Sequence, residues 1–129
     1  VSEHRVLLYS DDPQVRDRMR QAIGSRPTKD LSVTFLDSST YDEVIRLVDA
    51  GEVDLLVLDG EAAPTGGLAI ARQLKDEITD CPPRCLVIAR AADRWLAAYA
   101  QVEATLLYPL DPLETARTVV ALLRDRAAA

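Results

Sequence analysis

The sequence is poor in several residue types, and each shortage excludes something. It has one histidine, His4, and two cysteines, Cys81 and Cys85. A zinc or iron centre of thiolate and imidazole ligands needs more of both at shorter spacing. The cysteines flank Pro82, Pro83 and Arg84, and read as one loop thiol and one strand thiol in a reducing cytoplasm. Lysine occurs twice, at Lys29 and Lys75, and the thirteen arginines are scattered rather than clustered. With a net charge of −6 the chain lacks the positive footprint of a nucleic-acid binder. Apolar runs such as Leu55 to Leu58 are strand-sized, well short of the ~18 residues of a membrane span. The N-terminus opens on Val1 and has no basic, apolar and small-residue succession of a secretion signal, so a cytoplasmic chain is expected. No repeat or low-complexity stretch breaks the 129 residues, a length that suits one domain with one core.

What the sequence does have is alternation. Apolar runs at Arg5 to Tyr9, Asp54 to Leu58 and Arg84 to Ala89 predict strands buried on both faces, and Leu31 to Leu36 and Thr105 to Tyr108 predict two more. Between them lie amphipathic stretches with helix punctuation. Asp12 followed by Pro13 reads as an N-cap and first helical residue, with Val15, Met19, Ala22 and Ile23 as the inner stripe and Gly24 as the stop. Thr40 and Glu43 form a capping-box pattern ahead of Val44, Leu47 and Val48, and Gly51 closes that helix. Leu68, Ala71, Leu74 and Ile78 mark a third helix after a loop holding Pro64, Gly66 and Gly67. A short fourth helix is expected from Asp93 to Gln101. A fifth starts at Asp111-Pro112, with Leu113, Ala116, Val120 and Leu123 inward. Five strands alternating with five helices predict an α/β sandwich around a parallel sheet, in the flavodoxin-like order 2-1-3-4-5.

In that topology a site lies beyond the carboxyl ends of the strands, where the winding reverses between strands one and three. Asp11 and Asp12 follow strand one directly, and Asp59 follows strand three. Three carboxylates brought that close repel one another unless a hard cation such as Mg²⁺ sits among them. Each acid also has a plainer reading. Asp12 can be only a helix cap, Asp11 a loop acid facing water, and Asp59 a turn residue before Gly60.

The constellation resembles the receiver domain of two-component signalling, from about Arg5 to Arg124. It rests on the acids in Leu-Tyr-Ser-Asp-Asp and Leu-Val-Leu-Asp-Gly, on Gly67-Leu68 eight residues after Asp59, and on Pro109 after strand five with Asp-Pro beyond. The resemblance implies Mg²⁺ held by Asp11 and Asp12 with Asp59. It also implies that Asp59 takes a phosphoryl group from a histidine kinase.

Departures stand beside it. The family's hydroxyl at the end of strand four would fall on Ile88 or Ala89, and its lysine before the strand-five proline falls on Tyr108. Thr105 stands at its aromatic switch position, and Pro64 lies one residue later than the family's loop proline. Phosphoryl transfer loses electrostatic stabilisation without those groups. Arg90 is the nearest replacement cation, or else a solvated loop arginine.

Two readings follow. The chain is an atypical stand-alone response regulator phosphorylated on Asp59, or a pseudo-receiver that works by binding alone. A flavodoxin-like cofactor binder is disfavoured, because Asp11-Asp12-Pro13 would repel a phosphate. The sequence ends in Arg-Asp-Arg-Ala-Ala-Ala, so no output domain is expected, and output would pass through a protein partner or a homodimer. The resemblance points to the face of helix four, strand five and helix five as that contact surface. Trp95 and Tyr99, four apart on helix four, are expected in the core, with a contact patch as the other reading.

Overall fold

The computed structural model describes residues 2–62 and 66–128. The elements run β1 (Ser2–Tyr9), α1 (Pro13–Ile23), β2 (Leu31–Ser38), α2 (Tyr41–Asp49), β3 (Leu55–Asp59), α3 (Gly67–Glu77), β4 (Arg84–Ile88), α4 (Leu96–Ala100), β5 (Ala104–Leu107) and α5 (Pro112–Ala128). All strand pairs are parallel, and the sheet has the order β2-β1-β3-β4-β5. This is the architecture expected from the alternation. Pro64 lies outside the described residues.

Side-chain alternation along the strands sorts the core into two layers. Leu7, Tyr9, Leu56, Leu58, Leu86 and Ile88 face α2 and α3, meeting Val44, Val48, Ile70, Ala71 and Leu74. Val6, Leu8, Leu55, Val57, Cys85, Val87 and Leu106 face α1 and α5, meeting Met19, Ile23, Val119 and Leu123. The central strands are buried on both faces, which explains their unbroken apolar runs.

The helix signals work as local chemistry. Asp12 Oδ1 accepts from the Gln14 amide at 2.9 Å, and Pro13 opens α1 where its missing N–H costs nothing. Thr40 Oγ1 accepts from the Glu43 amide at 3.3 Å, while the Glu43 carboxylate reaches back to the amide of Ser39 rather than to that of Thr40. Gly51 lies one residue beyond the Ala50 cap with φ 73°, a conformation that favours glycine.

Three expectations are corrected. The fourth helix is a 3₁₀ turn, Ala91–Trp95, followed by the short α4, which Gln101 closes in the left-handed conformation with φ 56°. Trp95 and Tyr99 are not core residues: they are 65% and 57% exposed. A helix this short buries one face only, and Ala100 supplies it. In α5, Asp111 Oδ2 accepts from the Glu114 amide at 3.2 Å, and the helix turns Thr115, Val119 and Leu123 inward. Leu113 is consequently 60% exposed.

Candidate functional site

The register of the parallel strands decides what faces Asp59. Tyr9 pairs with Leu58, so the next residues along the two chains, Ser10 and Asp59, lie side by side. Strand alternation places both on the α1–α5 side of the sheet, as continuations of Val6-Leu8 and Leu55-Val57. Ser10 is fully buried, and Asp59 is 8% exposed. The Ser10 hydroxyl donates to Asp59 Oδ2 at 2.8 Å. Asp59 Oδ1 accepts from the Glu61 amide at 2.9 Å. Both oxygens of a nearly buried carboxylate therefore have a donor, as burial of a charge requires.

The other two acids sit differently. Asp11 and Asp12 are both exposed. The Asp12 carboxylate is turned back into its own helix as the N-cap, and its amide donates to Ser10 Oγ at 3.0 Å. Tyr9, buried on the opposite face, reports on the remaining pair. Its hydroxyl pKa is pushed above the ordinary tyrosine value, first by burial and then by the carboxylates of Asp11 and Asp59. Asp11 and Asp59 thus share one electrostatic neighbourhood, and Asp12 is engaged elsewhere.

The expected meeting of three carboxylates is accordingly altered. Among the described residues, no group of three His, Cys, Asp or Glu side chains stands in a metal-ligating arrangement. The reason is local: a helix that starts at Pro13 claims Asp12 for its cap. The donor chemistry of Asp11 and Asp59, two hard carboxylates at the ends of neighbouring strands, still fits Mg²⁺.

The departure positions are equally plain. Val87 is the residue registered on Asp59, and its carbonyl accepts from the Gly60 amide at 2.8 Å. Ile88 is buried in the α2–α3 layer, while Ala89 lies exposed just past β4. Of the two, Ala89 alone is open to the strand ends. Tyr108 precedes a cis bond to Pro109, and it is partly buried against the α1–α5 layer. It also lines a small cavity of about 140 Å³ with Arg18, Gln21 and Ala22 of α1. Arg90 is exposed and bound in fork fashion to Asp93 at 3.2 Å on each side. Its partner is Asp93 rather than Asp59.

Sequence reasoning missed Ser10. The signal was present: the parallel register and the two-residue alternation make the residue before the acidic pair, not the pair itself, the neighbour of Asp59.

Similarity to known proteins agrees with the fold. No family model matches the chain. Over 124 residues the chain is 47% identical to the uncharacterised response regulatory proteins Rv3143 and MT3230 of two Mycobacterium tuberculosis strains, covering 95% of this chain and 93% of theirs. The chain belongs to the response-regulator family. Solved receivers share its fold at low identity. A candidate response regulator of Chloroflexus aurantiacus superposes with a TM-score of 0.82 at 16% identity, over 95% of this chain and 99% of the other. A CheY-like receiver domain of Methanospirillum hungatei gives 0.73 at 16%, over 98% of both. This response regulator is therefore a receiver-fold signalling module. Among its described residues, no helix is long and apolar enough to cross a membrane.

Proposed function

We propose that this response regulator takes a phosphoryl group on Asp59 in the cytoplasm and passes the signal through protein contacts. The observation that carries the reading is Asp59 itself, the acid that ends β3, held at the sheet's switch point by Ser10 and the Glu61 amide. A histidine kinase is the natural donor: the N–P bond of its phosphohistidine breaks as a carboxylate oxygen of Asp59 bonds to phosphorus. Mg²⁺ held weakly by Asp11 and Asp59 would offset the charge of the transferring group. Neither departure position supplies a cation there, since Tyr108 is uncharged and packs against the α1–α5 layer and Arg90 binds Asp93. Transfer is therefore slower than in a receiver with a lysine at that position.

The surface that would meet a partner or a second copy is the α4–β5–α5 face. Trp95 is exposed in the 3₁₀ turn before α4 and Leu113 at the start of α5, while exposed Tyr99 stacks its ring with Arg72 of α3. Large exposed aromatics are the side chains that carry most binding energy when covered.

A second reading has its own support. Ala89 offers no hydroxyl and Tyr108 no charge, so the usual contacts to a phosphorylated aspartate are missing, and the chain would act as a pseudo-receiver by binding alone. Intact-mass measurement after exposure to acetyl phosphate and Mg²⁺ separates the two. The first reading expects slow addition of one phosphoryl group, lost in Asp59→Ala and faster in Ala89→Thr/Tyr108→Lys. No addition to wild type or to the restored variant would leave the pseudo-receiver.

A further inference from the structure

Ser10 occupies a position that no simple packing role explains. It is polar and fully buried, yet every one of its polar atoms is engaged. Its main chain is clamped on both sides: the amide donates to the Ser38 carbonyl at 3.2 Å, and the carbonyl accepts from Arg16 Nη1 at 2.5 Å. Arg16 is held in turn by Asp37 at the end of β2. The backbone of Ser10 is thus fixed, and only the hydroxyl is free to reorient. That hydroxyl does two things at once. It donates to Asp59 Oδ2 at 2.8 Å and accepts the Asp12 amide at 3.0 Å. Asp12 then caps α1 through the Gln14 amide.

We propose that the Ser10 hydroxyl couples the charge on Asp59 to the first turn of α1. The physics is the cooperativity of linked hydrogen bonds. A hydroxyl that donates to an anion is polarised, so its oxygen becomes a better acceptor. While Asp59 carries its full charge, the Asp12 amide is bound firmly and the cap is set. When the charge on Oδ2 is removed, the hydroxyl loses its strong acceptor and is released to rotate. The Asp12 amide is left with a weaker acceptor, and the start of α1 loosens. Any change made to the Asp59 carboxylate is therefore read on α1, the helix that follows β1, and not only across β4 and β5. The inference deepens the assignment of Asp59 as the modified group but does not need a phosphoryl group for its test.

The test is hydrogen exchange by NMR on the full chain, comparing wild type, Asp59→Asn, Ser10→Ala and the double variant. Asparagine keeps the shape of Asp59 and removes its charge. Asp59→Asn should speed exchange of the Asp12 and Gln14 amides by roughly three- to tenfold, relative to the Val119 amide in α5. In the Ser10→Ala background the same substitution should change them by less than about twofold. If Ser10→Ala folds poorly, Ser10→Cys replaces it, since a thiol fills the space but donates and accepts weakly. Unchanged exchange at Asp12 and Gln14 in Asp59→Asn would overturn the proposal. So would equal acceleration with and without the Ser10 hydroxyl. Failure of the phosphodonor experiment would leave this result standing, because no donor enters it.

Discussion

Arg84 and Glu103 are joined twice. The Arg84 amide donates to Glu103 Oε1 at 2.7 Å, and its guanidinium donates to Oε2 of the same carboxylate at 3.1 Å. Arg84, at the start of β4, is among the largest fully buried side chains of the described residues. Its two Nη groups also donate to the carbonyls of Ala71 at 2.6 Å and Gln101 at 2.5 Å, with Ala100 at 3.4 Å, while its buried Nε has no partner among the described residues. One guanidinium thereby ties α3, the end of α4 and the entry to β5 to the fourth strand. Because these bonds satisfy helix carbonyls, removing the arginine strands more than one group.

Arg84→Ala is expected to destabilise the fold by about 3–5 kcal/mol, the range for breaking a buried ion pair. Glu103→Gln keeps one acceptor and leaves the helix carbonyls satisfied, so its cost should be about 1–2 kcal/mol. Urea unfolding of the two variants measures both. Equal costs would show that the carboxylate, not the carbonyl cluster, is what the guanidinium serves.

Gly67 sets the approach of α3 to the candidate site. A Cβ there would stand 2.7 Å from the Asp59 carbonyl oxygen and 2.9 Å from Leu58 Cβ, contacts that real side chains do not make. Gly67→Ala must push α3 away from the end of β3. The expected cost is about 1–3 kcal/mol, as for other overpacked sites, with a shift of the Asp59 and Glu61 amide resonances. A neutral effect on melting would mean that the helix start yields without loss.

Much of this was legible in the sequence, and the reasons differ by element. The capped starts of α1, α2 and α5 were readable because Asp12, Thr40 and Asp111 act on their own next few amides. The strand order was readable because buried parallel strands leave unbroken apolar runs. The inner face of α5 was not, since its phase depends on how the helix docks: Leu113 and Val120 were expected inward, and Thr115 and Val119 are the buried residues. The buried role of Arg84 was hidden because nothing local marks a charged residue whose partners lie 13 to 19 positions away. At the site, Asp59 and its place were legible. The neighbour Ser10 needed the strand register, which fixes contacts that no single-strand pattern shows.

The two thiols should differ in reach but agree in direction. Burial pushes the Cys85 thiol up to about 12. Cys81 is raised as well, chiefly by burial, with Arg84 pulling the other way. A folded pKa above the unfolded one means that burying the neutral thiol adds stability below the ordinary thiol value, about 8.5, and that this is lost as pH rises towards the folded value. Stability should therefore fall from about pH 8.5 upward, and less so in Cys85→Ala once its own cavity cost is subtracted. At pH 8, Ellman's reagent should label half-buried Cys81 slowly and Cys85 only at the rate of unfolding. Prompt labelling of both thiols in the native protein would contradict this.

Mg²⁺ gives the most direct check on the acids. On the proposed reading, a cation held between Asp11 and Asp59 would relieve their repulsion and bind the folded state alone. At tenfold excess over its Kd, a ligand of that kind stabilises by about 1.4 kcal/mol, which raises the melting temperature of a domain this size by about 4–8 °C. Asp11→Asn and Asp59→Asn should each remove most of that shift. Asp12→Asn is the informative control, because asparagine is as good a helix cap as aspartate. It should keep both the fold and most of the Mg²⁺ response, since the Asp12 carboxylate serves α1. Loss of the response in Asp12→Asn alone would mean that Asp12 leaves its cap to bind the metal. The same shift in all three variants, or none at 10 mM Mg²⁺ in the wild type (a concentration of order tenfold over a millimolar Kd), would show that these carboxylates do not form a cation site.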